Sequence, residues 1–305
     1  MRMSSIAFER DFDPAHGQAV PIGENVRRLT APNGGPFTYH GTNSYIVGRG
    51  RVAVIDPGPD DPAHVEAILR ATAGEEISHI VITHTHRDHS PGAALLKAAT
   101  GATLLGEGPH RLARPLALGE IHMLDASGDM DFMPERRLVD GERIEGDGWA
   151  LTAIATPGHA ANHLAFALED SPLLFSGDHV MKWATTIVAP PDGAMTDYMA
   201  SLDRLAERPE TIYLPGHGGP VEDAPGFVRA LKAHRRMREA AIVERIARGD
   251  RRIAEIVAAI YRDTPQALHG AAALSVLAHL EDLVGREKLR APEGVTLTGL
   301  FEPAA

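Results

Sequence analysis

The sequence predicts an α/β fold of layered sheets with helices outside them, followed by a smaller helical module. Three observations carry this prediction. Short β-branched runs alternate with helically spaced apolar segments between residues 43 and 105. A second group of short strands, punctuated by Pro, Gly and Asp, fills residues 143–176, and from residue 225 the chain turns to long amphipathic helices.

Taken in order, Asn43–Val47 and Arg51–Ile55 flank the turn Gly48-Arg49-Gly50 and predict a hairpin. Ala63–Ala73 has helical spacing, Ile77–Ile82 predicts a buried strand, and Gly92–Ala99 a second helix. Strands follow at Ala102–Leu105, Arg143–Ile144, Ala150–Ala155, His163–Leu168 and Leu173–Ser176. Between Gly106 and Pro134 the text is irregular and ends in the acidic run DASGDMD, which in a compact enzyme predicts a lid or binding insert. Helices are expected at Phe227–Arg248, Ile253–Tyr261 and Ala271–Leu283, then a short β-like run at Val295–Thr298, together a winged-helix-like cap. The domain boundaries expected are thus 1–224 and 225–305.

Composition narrows the function classes. No cysteine is present, so thiolate chemistry and disulfides are excluded and any metal must be held by nitrogen and oxygen. No uninterrupted apolar run approaches the ~18 residues of a membrane span, and the N-terminus MRMSSIAFERDFDPAHG lacks a secretory apolar stretch, so a cytoplasmic protein without membrane partners is expected. The formal net charge is -11. Residues 225–305 carry 13 Lys and Arg against 10 Asp and Glu, whereas residues 1–224 carry 17 against 31. Such an acidic body is a poor general platform for polyanions.

The sharpest signal is Thr83-His84-Thr85-His86-Arg87-Asp88-His89, directly after a predicted strand. In extended backbone His84 and His86 point to one side and share a cation, while the following turn lets Asp88 and His89 serve a second position. Three more donors stand where strands end, each after a glycine that lets the backbone turn: Gly158-His159, Gly177-Asp178 and Gly216-His217. For partners to the ligands' outer nitrogens, Asp56 at the end of the strand Arg51–Ile55 is the first candidate and His163 the second. Trp183 is a pocket candidate, whereas His64, His234 and His279 read as surface positions on helices.

From Asn43 through His217 the chain resembles the metallo-β-lactamase-fold hydrolases, whose motif H-x-H-x-D-H matches His84, His86, Asp88 and His89. The resemblance implies a four-layer αββα sandwich. It also implies that His84, His86 and His159 hold a first metal, Asp88, His89 and His217 a second, and that Asp178 bridges them. The segments APNGGPFTYHGTNSYIVG, IDPG, THTHRDHSPG, DYMASLDRL and YLPGHG further resemble the β-lactamase-like protein 2 group, described in animals as endoribonucleases on single-stranded RNA. The chain departs from that group in its longer Gly106–Pro134 segment.

Two divalent cations sharing a water lower its pKa and present a bridging hydroxide as nucleophile, with Asp88 accepting or relaying a proton. Thiolate-free ligation favours two Zn²⁺, with Mn²⁺ or iron also compatible. The leading expectation is phosphodiester hydrolysis of single-stranded RNA. The alternatives are hydrolysis of an ester, thioester or lactam, and a non-catalytic interaction protein; self-association as a homodimer stays open.

Overall fold

The computed structural model describes residues 6–116, 120 and 127–304. Residues 1–5, 117–119, 121–126 and 305 lie outside it, so the first residues of the N-terminal segment and the middle of the Gly106–Pro134 segment, including the start of the DASGDMD run, fall outside the described residues.

Seven strands form the first sheet in sequence order: β1 (Val20–Gly23), β2 (Val26–Thr30), β3 (Asn43–Val47), β4 (Arg51–Ile55), β5 (Glu76–Val81), β6 (Thr103–Gly106) and β7 (Arg136–Arg137). Strands β1 to β4 pair antiparallel and β4 to β7 parallel. The first two parallel connections run through α1 (Pro62–Ala71) and α2 (Gly92–Thr100). Helix α1 starts where sequence chemistry places a start: Asp61 caps the Ala63 N–H and Pro62 occupies the first turn. The second sheet comprises β8 (Arg143–Gly146), β9 (Trp149–Ala155), β10 (Leu164–Leu168), β11 (Leu173–Gly177) and β12 (Ile212–Pro215), with β12 parallel to β11 and the rest antiparallel.

Residue alternation then stacks four layers. Tyr45, Val47, Ala53 and Ile55 of the first sheet meet Leu151, Phe166, Phe175 and Leu214 of the second in a central core. The opposite faces of the same strands, at Ile46, Val54 and Ile80, pack on Ile68 of α1 and Leu96 of α2. On the far side, Ile154, Ala165, Leu174 and Tyr213 pack on α3 (Met195–Ala206) and α4 (Ala224–Ala247). Because both faces of these strands are covered, their runs are apolar throughout rather than alternating.

The C-terminal part of α4, α5 (Ile253–Ile260) and α6 (His269–Gly285) share a separate core with a two-stranded ribbon, β13 (Leu289–Arg290) and β14 (Glu302–Pro303). The ribbon corrects the expectation at Val295–Thr298, which is turn and bend: its two-residue strands flank that run and are too short to carry a period. Residues Gln266–Gly285 are long and apolar enough, by length and composition, to cross a bilayer. In the fold their Val276, Leu277, Leu280 and Leu283 are buried in the C-terminal core.

Two histidines read as surface positions are buried. His64 lies on the inner face of α1, its Nε2 2.8 Å from Ser44 Oγ, and burial pushes it down to about 4. His279 faces the interior from α6, where burial and then Arg235 push it down to about 3. The Gly106–Pro134 segment is no simple appendage either. Phe132 joins the core beside α2, and Asp129 N donates to Thr85 O at 2.8 Å, inside the histidine-rich loop.

Candidate metal centre

All seven predicted donors stand at one edge of the sandwich, on loops that follow β5, β9, β11 and β12. The loop geometry comes from glycine. Gly177 and Gly158 have φ of +48° and +138°, values that side-chain-bearing residues rarely adopt. Gly216 is needed for space, since a Cβ there would lie 2.4 Å from Asp178 Oδ1 and 2.6 Å from His89 Cε1.

The donors form two groups, each with ligand atoms within 4.8 Å of one another: His84, His86 and His159, and Asp88, His89, Asp178 and His217. In the first, His86 Nδ1 lies 3.0 Å from both His84 Nε2 and His159 Nε2. In the second, His217 Nε2 is 3.1 Å from Asp88 Oδ2 and 3.2 Å from Asp178 Oδ2, and His89 Nε2 is 3.4 Å from Asp88 Oδ2. Asp178 Oδ2 also stands 3.7 Å from His159 Nε2, so this carboxylate faces both groups.

Every histidine of the set is held by its outer nitrogen. His159 Nδ1–H donates to Ile187 O at 2.7 Å and His217 Nδ1–H to Gly41 O at 3.1 Å. Asp56 Oδ2 accepts His89 Nδ1–H at 2.9 Å and the Thr83 hydroxyl at 2.7 Å, while its Oδ1 accepts Thr83 N–H at 2.8 Å. With its hydrogen committed to Asp56, Thr83 Oγ1 accepts His84 Nδ1–H at 3.0 Å. His86 Nε2 pairs with Asp192 Oδ2 at 2.6 Å. These bonds fix which nitrogen of each ring faces inwards and leave it free to ligate.

His163, the other sequence candidate, touches neither group's donor atoms through a hydrogen bond. Its Nδ1 pairs with Thr156 Oγ1 and its Nε2 accepts Asp178 N–H at 3.1 Å, so it supports the Asp178 turn. Trp183 packs over Gly218, next to His217, and stacks on Tyr39 with centroids 4.9 Å apart and planes 10° apart. Asp192 escaped sequence reasoning: it follows Pro190-Pro191 far from any ligand motif, and no spacing rule links it to His86.

Charge within the cluster is strongly organised. Burial holds His84 well below its ordinary range and His159 at about 4. For His86, burial opposes the charge but Asp192 outweighs it and the shift is upward. Burial likewise opposes protonation of His217 and His89, yet Asp178 and Asp88 raise His217 to about 10 and His89 well above its usual range. The same pairs override burial to hold Asp88 and Asp178 well below the usual carboxylate range.

A metal fits these residues on an observation independent of the motif. His89 Nε2, His217 Nε2 and Asp178 Oδ1 are buried and make no aligned hydrogen bond, although carboxylate oxygens stand 3.1–3.5 Å from the two imidazole nitrogens. Orphaned buried polar atoms each cost roughly 1–3 kcal/mol, and three of them aimed into one cluster are satisfied by a cation.

Known proteins resemble this chain in sequence and in fold. A beta-lactamase-like protein 2 homolog of Caenorhabditis elegans is 30% identical over 269 residues, 86% of this chain and 85% of that protein. An atrochrysone carboxyl ACP thioesterase of Claviceps purpurea is 30% identical over 225 residues, and lactamase-like protein adaB of Aspergillus niger is 30% identical over 228. These matches cover 73% and 74% of this chain but only 65% of each fungal relative's length. Among solved structures, a beta-lactamase domain protein from Burkholderia ambifaria superposes with a TM-score of 0.79 at 23% identity, covering 96% of both chains. Residues 253–294 match the beta-lactamase associated winged helix domain. Residues 38–217, which contain all seven donors, match the metallo-beta-lactamase superfamily model, and the chain belongs to that superfamily of hydrolases.

Proposed function

We propose that this chain is a dinuclear metal-dependent hydrolase that cleaves an acyl thioester or related carbonyl substrate. The observation that carries the dinuclear reading is the pair of donor groups with three orphaned ligand atoms and with Asp178 facing both. His84, His86 and His159 would hold one cation, Asp88, His89 and His217 the other, and Asp178 would bridge them. Zn²⁺ suits the nitrogen-rich set best, and Mn²⁺ or iron also suits nitrogen and oxygen ligands. A bound pair supplies Lewis-acid polarisation of the scissile group and activation of water at neutral pH.

The chain's own residues shape the rest. Asp88 has a side chain 26% exposed while the other donors are at most about a tenth exposed, which places its carboxylate towards the opening as proton acceptor. Asp56, Thr83 and Asp192 keep the imidazoles oriented and their inner nitrogens bare of protons when loaded. The loops beside the donors carry aromatic and apolar groups: Tyr39 stacked on Trp183, with Phe37 and Met130 largely exposed. Exposed apolar groups on these loops of an acidic body suit an acyl chain better than a polyanion, and the Claviceps relative is named as an ACP thioesterase.

Single-stranded RNA is the second reading. The stacked Tyr39–Trp183 pair favours it, because such a platform also receives nucleobases. Rates on an acyl thioester, a single-stranded RNA and a chromogenic lactam, measured side by side on metal-loaded enzyme, decide between them. The proposal expects the thioester to turn over fastest; RNA cleavage in preference to it would replace the substrate assignment.

A further inference from the structure

Two of the donors, His159 and Asp178, are secured through a single short strap. Ile187 O accepts His159 Nδ1–H at 2.7 Å, and Thr186 Oγ1 donates to Asp178 O at 2.6 Å while lying 3.1 Å from His179 O. Thr186 is fully buried, and its own carbonyl accepts an N–H from Arg235 of α4. The strap between one ligand of the first group and the carboxylate that faces both is therefore gripped by a side chain from the long helix that leads into the C-terminal module.

Arg235 is only 3% exposed. Its Nη1 lies 3.4 Å from Ser275 Oγ of α6, its Cζ sits 5.0 Å over the Tyr198 ring, and its Nε has no partner. Among the described residues no carboxylate pairs with it. Burying a guanidinium without a carboxylate costs several kcal/mol, and replacing buried charges by apolar groups of similar volume is often neutral or stabilising. Stability is thus a poor reason for this arginine, whereas its geometry gives another. Tyr198, beneath the guanidinium, donates its hydroxyl to His179 O at 3.0 Å, so two independent contacts converge on the backbone just after Asp178.

We propose that Arg235 is a positioning residue for the metal centre: its grip on the Thr186 carbonyl sets where His159 and Asp178 stand relative to each other. This rests on the dinuclear reading above, and it makes α4 and the C-terminal helices part of the centre's architecture. Arginine suits the task because its planar fork reaches Thr186 and Ser275 together, which a lysine ammonium cannot reproduce.

The test compares wild type with Arg235→Met. Metal-stripped protein is titrated with Zn²⁺ against a chromogenic chelator, Co²⁺-loaded protein is followed by visible absorption, and thermal unfolding is recorded without metal. Expected are Zn²⁺ binding weaker by roughly 10–100-fold, an altered Co²⁺ spectrum, and metal-free unfolding at or above the wild-type temperature. A lower metal-free unfolding temperature with unchanged affinity and spectrum would mark a merely structural arginine and overturn the proposal. If Arg235→Met does not fold, Arg235→Lys is titrated in the same way; affinity below wild type supports the proposal and equality overturns it. A wild type that binds fewer than two equivalents sinks the dinuclear reading and this proposal with it, whereas equal two-site binding in wild type and variant sinks this proposal alone.

Discussion

Replacing Asp56 by asparagine isolates the role of one buried carboxylate. Asp56 has φ of +49°, a conformation asparagine tolerates, so the backbone is left in place. The carboxylate accepts three hydrogen bonds, from Thr83 N–H, the Thr83 hydroxyl and His89 Nδ1–H. An amide retains one acceptor oxygen, which keeps the Thr83 N–H, and presents an NH₂ to the other two donors. His89 Nδ1–H and the Thr83 hydroxyl then lose their acceptor. Charge-assisted bonds contribute about 1.5–3 kcal/mol, and the two losses share one site, so the variant is expected to be less stable by about 2–4 kcal/mol. At roughly 2–4 °C per kcal/mol for a chain of this size, metal-free protein should unfold some ~5–15 °C lower. Because His84 also depends on Thr83 Oγ1, both metal groups should weaken, by about tenfold or more each. Calorimetric Zn²⁺ titration and thermal unfolding read the two effects. Unchanged affinity at both sites would refute the claim that Asp56 orients the ligands through Thr83 and His89.

Other variants test separate links. Asp178→Ala should lose the metal pair together with activity; full occupancy and rate would remove its bridging role. Asp192→Asn should weaken the first group about tenfold, since His86 Nε2 is 2.6 Å from that carboxylate, and equal Zn²⁺ affinity would remove Asp192 from the centre. Gly158→Ala should destabilise the fold by about 3 kcal/mol or more, because its Cβ would lie 2.3 Å from Tyr198 Cα at a φ of +138°; a wild-type unfolding temperature would contradict this. The protonation pattern has a sign that can be checked. His217, carried up to about 10 against burial by Asp178 and Asp88, holds a proton at pH 8 that a cation must displace. Zn²⁺ binding should therefore release protons into buffer and tighten as pH rises towards 10. In metal-free protein the same histidine contributes stability that is fully present below about pH 6.5 and declines as pH climbs through about 10. Affinity independent of pH would contradict the raised proton affinity.

Much of the fold was legible because both faces of its central strands are buried. Val52–Ile55, Ile80–Ile82 and Leu173–Phe175 are apolar at every position, and the predicted bounds agree with the strands within about two residues. The first two strands were missed because Pro21, Arg27 and Arg28 interrupt them; Arg28 is nonetheless buried, donating to Asp13 O at 2.8 Å. Helix α3 is signalled in the sequence by the resemblance of DYMASLDRL, and its Met195, Tyr198, Leu202 and Leu205 make a helical stripe. His64 and His279 were misplaced because patterning treats histidine as polar, whereas a neutral imidazole with one partner, or packed among apolar groups, is accommodated inside. In the candidate site, donors were visible because chemistry concentrates them near glycines at strand ends. Their supports were less visible. Asp56 stands next to a recognisable turn, but Asp192 reaches His86 and Arg235 reaches Thr186 across long stretches of sequence, and only the tertiary fold brings them together.

The central claim is that two cations sit side by side between the loops that follow β5, β9, β11 and β12. Anomalous scattering from zinc-loaded crystals, collected on both sides of the zinc edge, addresses it directly. Two peaks about 3.5–4 Å apart are predicted, one enclosed by His84, His86 and His159 and the other by Asp88, His89 and His217, with Asp178 touching both. A single peak, or peaks away from these side chains, would contradict the account.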